Sequence, residues 1–134
     1  MSVTCQARLQ EHLPARAEGI APLRHAVVGF AADNGASRRQ CEDIALAVSE
    51  ALSNAVVHAY VGRDSPGSMA VQAWRQAQSL HVVVVDAGKG MGERSDSPGL
   101  GLGLELIDRM TTQLRIDSLD TMSGVRLRMT FAVG

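Results

Sequence analysis

Asp43-Ile-Ala-Leu-Ala-Val-Ser-Glu-Ala-Leu-Ser-Asn-Ala-Val-Val-His-Ala-Tyr60 is the stretch from which the rest of the chain is best read. Its apolar residues Ile44, Val48, Ala51, Leu52, Ala55 and Val56 keep helical spacing and predict an amphipathic helix. Ser37 with Gln40 has the pattern of a capping box and predicts the start; Gly62, just after Val61, predicts the stop. Glu50, Asn54 and His58 follow one another at intervals of four and so share one face. Most such lines are solvated stripes. This one contains no Lys or Arg, and Val, Ala and Leu flank it, which suits a helix that faces a pocket. The amide oxygen of Asn54 suits Mg²⁺, which takes hard oxygen ligands and keeps several waters. Glu50, one turn earlier, suits a general base acting on a hydroxyl. For His58 a structural hydrogen bond explains the residue as well as a phosphate contact does.

Two glycine-bearing segments lie downstream. Asp86-Ala-Gly-Lys-Gly-Met91 directly follows the apolar run Val82 to Val85. An ionised carboxylate is an acceptor only and matches a donor such as the exocyclic amine of adenine. Gly88 and Gly90 permit turns and close approach. The plain alternative is an ordinary turn after a strand, where Asp and Gly are common. In Gly99-Leu-Gly-Leu-Gly-Leu104 the alternating glycines suit backbone amides aimed at an anion, with a helix start just beyond. The plain alternative places Leu102, Leu104 and Ile107 in a helix core. A Rossmann fingerprint is excluded because a charged loop, not a strand, precedes these glycines. No Gly-x-x-x-x-Gly-Lys-Ser/Thr, His-Arg-Asp or Asp-Phe-Gly occurs, which excludes a P-loop and a eukaryotic-type kinase.

Composition limits the rest. A chain of 134 residues suits one domain, and 46% hydrophobic residues, mostly Ala, Val and Leu, are enough for a core. The net charge of −1 supports neither a nucleic-acid partner nor a membrane surface. No apolar run approaches the roughly 20 residues of a membrane helix, and the N-terminus lacks a signal pattern. Cys5 and Cys41 stand apart from each other and from clustered histidines, so zinc is not expected, and two free thiols fit the cytoplasm.

The expected order is an edge strand from Val3 to Leu9, then a helix opened by Pro14 and ended by Asn34-Gly35, with Pro22 marking a kink or an early boundary. The long helix and a turn over Arg63 to Ser68 follow. Met69 to Arg75 and Leu80 to Val85 read as a hairpin around Gln76 to Ser79, the second strand being central. After a loop from Gly88 to Pro98 come a short helix from Leu102 to Met110 and strands at Gln113 to Ser118 and Val125 to Phe131. The last alternates Val125, Leu127, Met129 and Phe131 with Arg126, Arg128 and Thr130, whose polar face is expected toward solvent. This order predicts an α+β fold, a two-layer sandwich whose mostly antiparallel mixed sheet carries helices on one face.

In order and spacing the three polar segments resemble the ATP-binding domain shared by gyrase, histidine kinases and MutL, the Bergerat fold. Glu50-x-x-x-Asn54 resembles its N box, Asp86-x-Gly88-x-Gly90 its G1 box, and Gly99-Leu-Gly-Leu-Gly-Leu104 its G2 box. Glu50-Ala-Leu-Ser-Asn54-Ala-Val-Val-His58-Ala-Tyr60 is similar to the N box of bacterial anti-sigma serine/threonine kinases of the RsbW type. The resemblance covers nearly the whole chain and implies one ATP-binding domain over residues 1–134, with an ATP lid at about 88–103. It implies an ATP-dependent serine/threonine kinase that acts as an anti-sigma factor and phosphorylates a serine on an anti-anti-sigma protein. A module that binds ATP and sequesters its partner without effective transfer is the alternative. By the same resemblance Asn54 ligates Mg²⁺ and Glu50 is the base. His58, Asp86, Gly88, Gly90, Met91, Gly99, Leu100, Gly101, Leu102 and Gly103 contact nucleotide. A sigma factor and an anti-anti-sigma protein are the implied partners, and many members are homodimers. Where the family often has Gly-Thr at the start of the last strand, this chain has Gly124-Val125.

Overall fold

This computed structural model describes residues 8–57, 67–86, 113–118 and 125–133, with the backbone alone at 113–118 and 125. The chain starts with strand β1 (Arg8–Pro14), then a 3-10 turn (Ala17–Gly19), helix α1 (Ile20–Asp33) and helix α2 (Arg38–Val57). Strands β2 (Ser68–Gln76), β3 (Ser79–Asp86), β4 (Gln113–Ser118) and β5 (Val125–Ala132) complete it. The strands form one sheet in the order β1-β2-β3-β5-β4, and every described pairing is antiparallel. β3 is the central strand, as its unbroken apolar run predicts.

Strand alternation sorts the side chains onto two faces. Met69, Val71 and Ala73 of β2, Leu80, Val82 and Val84 of β3, and Leu127, Met129 and Phe131 of β5 join one core with the helices. α1 contributes Leu23, Val27 and Ala31; α2 contributes Ile44, Ala47, Val48, Ala51, Leu52 and Ala55. Both helices therefore cover the same face, as an α+β two-layer arrangement requires. Fully burying a side chain such as Leu52 stabilises the fold by about 1.5–3 kcal/mol. Among the described residues no helix is long and apolar enough to cross a membrane.

The capping box is present in both directions. Gln40 N–H donates to Ser37 Oγ at 3.1 Å, and Ser37 N–H donates to Gln40 Oε1 at 2.9 Å. α1 ends at Asn34 and Gly35, whose φ of 99° is the left-handed conformation that glycine takes freely. Residues 58–61 of the expected long helix, most of the turn after it, the loop from Gly88 to Pro98 and the helix from Leu102 to Met110 lie outside the described residues.

Three expectations are corrected. Pro14 does not open a helix; it ends β1, and α1 begins only at Ile20. Proline fits a helix start, but it fits the end of an edge strand equally well. The exit needs Gly19, because a Cβ there would meet Met69 Cε at 3.0 Å and the Pro14 carbonyl at 3.3 Å. Pro22 neither kinks nor bounds α1. It sits in the first turn, where a missing N–H costs no intrahelical bond. Thr130 does not face solvent, being only 7% exposed, because side chains on the open face of the sheet cover it.

The β2–β3 hairpin turns on Ala77 and Gln78 alone, with Ala77 at a φ of 55°. A non-glycine residue there is strained. Arg75 Nε donates to the Ala77 carbonyl at 2.7 Å and fastens the turn.

Candidate functional site

The direction of α2 decides what reaches the site. Near its start, the Gln40 side-chain amide donates to the Ala132 carbonyl, and Ala132 is in register with Ser79 at the beginning of β3. α2 packs on β3. Asn54 lies fourteen residues beyond Gln40, about 21 Å along a helix. Asp86 lies seven residues beyond Ser79, about 23 Å along a strand. Asn54 thus lies in the last turn of α2, with Glu50 one turn before it, and Asp86 ends β3.

All three are half-buried. Glu50 and Asn54 border the buried Ala47, Ala51 and Ala55, so the polar line runs along the edge of the core and is not a fully solvated stripe. Asp86 continues the alternation of Leu80, Val82 and Val84 and so belongs to the helix-covered face. In the sheet Asp86 pairs with Met69 on one side and Val125 on the other. The position at which this chain departs from the Gly-Thr pattern is thus the backbone neighbour of Asp86. His58, Gly88, Gly90, Met91, Gly99, Leu100, Gly101, Leu102 and Gly103 lie outside the described residues. Of the expected set the structure describes Glu50 and Asn54, one turn apart on α2, and Asp86 at the end of β3. Among the described residues there is no group of three His, Cys, Asp or Glu side chains able to hold a metal.

Two clusters escape a reading of the sequence alone. Between the helices Arg24 Nη1 donates to Ser49 Oγ at 3.2 Å, beside a shallow hollow lined also by Glu42, Ala45 and Leu46. On the open face of the sheet Trp74 stacks on His81 at 5.0 Å with 20° between the ring planes. Arg8 and Arg128 lie over the Trp74 ring at 5.0 and 5.4 Å. Arg128 Nη2 and Thr130 Oγ1 each lie 3.3 Å from His81 Nδ1. Burial, and next the charge of Arg128, lower the His81 pKa from its ordinary 6.5. A neutral ring accepts the Arg128 hydrogen bond at Nδ1. Alternation hints at each residue's face, but only the register brings Trp74 opposite His81 and His81 opposite Thr130.

Comparison with known proteins places this geometry. Residues 13–131 match the model of the histidine kinase-like ATPase domain.

The chain belongs to that family.

Within it, the chain is 33% identical to the serine-protein kinase RsbW of Bacillus licheniformis, an alignment covering 87% of this chain and 80% of the relative. It is 29% identical to RsbW of Bacillus subtilis strain 168, over 91% of this chain and 83% of that one. It is 26% identical to the anti-sigma F factor of Thermoanaerobacter sp. strain X514, over 83% of each. This is the RsbW-like branch of the histidine kinase-like ATPases. Two solved structures share the fold. The RsbU and RsbW domains of a Mycobacterium tuberculosis protein align with a TM-score of 0.71 at 24% identity, over 95% of this chain and 32% of that one. The SiaB–SiaC complex of Pseudomonas aeruginosa aligns with a TM-score of 0.71 at 16% identity, over 92% of this chain and 88% of that one.

A histidine kinase-like ATPase domain uses ATP, and the donors present suit Mg-nucleotide. Asn54 and Glu50 offer hard oxygens from half-buried positions on α2, and Asp86 offers an acceptor at the end of the central strand.

Proposed function

We propose that this protein is an ATP-dependent serine/threonine kinase acting as an anti-sigma regulatory factor, with a serine of an anti-anti-sigma protein as acceptor. The observation that carries this is the match of residues 13–131 to the histidine kinase-like ATPase domain, in a chain that carries half-buried Glu50 and Asn54 one turn apart on α2 and half-buried Asp86 at the end of β3. The names of the relatives, serine-protein kinase RsbW and anti-sigma F factor, support the activity and the class of partner.

Asp86 accepts a hydrogen bond from the adenine amine, with Gly88, Gly90 and Met91 shaping that end of the pocket. Gly99, Leu100, Gly101, Leu102 and Gly103 offer their backbone to the phosphates, His58 adds a contact, and residues 88–103 form the lid. Asn54 would help to hold Mg²⁺, which would supply positive charge against the phosphates. Glu50 takes the proton from the acceptor hydroxyl as the serine oxygen bonds to the γ-phosphorus. The bond from that phosphorus to the bridging oxygen breaks, and ADP leaves with the electron pair. Such transfer rests on positioning and electrostatics, without a covalent enzyme intermediate. The domain is read as one unit over residues 1–134, working in the cytoplasm.

Val125 favours a second reading. A valine beside Asp86, where the family often has threonine, removes a hydroxyl from the adenine end. On that reading the protein binds ATP to set its shape and sequesters a partner without effective transfer.

Calorimetric titration of Mg·ATP into the wild type and Asp86→Asn tests the site shared by both readings. Binding by the wild type, weakened at least tenfold in the mutant, is expected. Equal affinities would remove Asp86 from the site, and no wild-type binding would leave only a partner-binding module.

A further inference from the structure

The open face of the sheet is chemically unlike the rest of the chain. Its described side chains include Arg8, Arg126 and Arg128 but no Asp or Glu, although the whole chain has a net charge of −1. In β4, Arg115 and Asp117 are in register with Arg128 and Arg126. At its centre lies Trp74, half-buried, with a guanidinium over it from Arg8 and another from Arg128. Among the described residues no carboxylate pairs with Arg8 or Arg128.

Of the two guanidiniums, that of Arg128 is also held in place. Arg128 is fixed between the Trp74 ring and His81 Nδ1, and Trp74 is fixed by its stack on His81. His81 and Thr130 are 8% and 7% exposed, so the platform rests on buried supports. Donors already ordered lose little further freedom on binding. Trp and Arg are the side chains that most often anchor protein interfaces.

We propose that the Trp74 platform, with Arg8 and Arg128, docks an acidic segment of a protein partner. Carboxylates of that segment accept from the guanidinium edges, and the aliphatic part of its side chains covers the indole. Charge complementarity selects this occupant. A second copy packed face to face would set arginines against arginines. Nucleic acid is disfavoured by the negative net charge and because Trp74 is the one Phe, Tyr or Trp among the described residues of this face, since strand binding uses successive stacking rings over a basic groove. Phe131 is in the core and Phe30 packs against it. This inference concerns the face away from α2 and does not depend on the nucleotide site.

The chain has one tryptophan, so its emission reports on the platform directly. The experiment titrates octaglutamate into the full chain without nucleotide at low salt, follows Trp74 emission, and repeats the titration with octathymidylate. A saturable change with octaglutamate is expected, weakened about tenfold in Arg8→Gln and in Arg128→Gln. Arg38→Gln, 95% exposed on α2, should bind like the wild type. Arg8 touches the ring from an edge strand, so Arg8→Gln decides the matter if Arg128→Gln fails to fold. The proposal is overturned if octaglutamate leaves the emission unchanged, or if Arg38→Gln loses as much affinity as Arg8→Gln. It is also overturned if octathymidylate binds more tightly than octaglutamate, or if sedimentation finds a dimer that Trp74→Ala dissociates.

Discussion

On the helix-covered face β3 presents Leu80, Val82 and Val84; on the open face the alternate positions of the same strand are His81, Val83 and Val85. Val82 is 0% exposed and Val83 is 3% exposed, yet only Val82 belongs to the core shared with the helices. Val83 lies between Gln72 and Arg128 in the register, covered by side chains that also reach water. Equal burial thus has two origins. One side is close-packed hydrocarbon, which supplies stability and ends in Asp86. The other is a layer of aromatic and guanidinium groups, which hides the backbone but keeps its polar atoms available. If both proposals hold, this small two-layer domain keeps a nucleotide site and a partner surface on opposite sides of one sheet.

The largest expected effect tests whether chemistry belongs to the covered side alone. Glu50→Ala should lower phosphate transfer from labelled ATP by about 10²–10⁴-fold, the usual worth of a general base, and leave nucleotide binding intact. Gln10→Ala, exposed on the open face, should leave transfer unchanged. Full transfer by Glu50→Ala would remove the base from that side. A smaller effect compares the two valines by denaturant unfolding. Val82→Ala should cost about 2–3 kcal/mol, since two methylene equivalents and a cavity are lost from close packing. Val83→Ala should cost about 1 kcal/mol, because its polar neighbours can close in. Equal losses would mean that the open face is packed as tightly as the core.

The smallest effect is a pH dependence. The His81 pKa is lowered in the fold, so on acidification the unfolded chain takes up its proton first. The neutral histidine costs nothing above its ordinary 6.5. Stability then falls as the pH drops below that value toward the folded pKa. Between pH 7 and 5 the wild type should therefore lose more stability than His81→Gln, and parallel losses would show that His81 is as easily protonated in the fold as in the unfolded chain.

Much of this was legible in the sequence, because much of it is local. The spacing of Ile44, Val48, Ala51, Leu52 and Ala55, the Ser37–Gln40 box and the unbroken apolar run of β3 each act within a few residues. They specify α2 and the central strand. Glu50 and Asn54 were legible for the same reason, being one turn apart on one helix. Pro14 was misread because two local rules fit it, and only the pairing of β1 with β2 separates them. The Trp74–His81–Arg128 cluster could not be found in advance. Arg128 and His81 are 47 residues apart in sequence and meet only once β3 and β5 are paired.

α2 is a rod of about 30 Å clamped at its starting end, where the Ser37–Gln40 box and the Gln40–Ala132 bond hold it. Length magnifies any error in its direction. A tilt of about 5° at the clamp sweeps Asn54 through roughly 2 Å, at its distance of about 21 Å. Reacting groups tolerate much less than that, since a misplacement of about 1 Å can cost a hundredfold in rate. Ser37 and Gln40 at the start, and the core contacts of Ile44, Val48, Leu52 and Ala55 along the rod, therefore share in fixing where Asn54 sits.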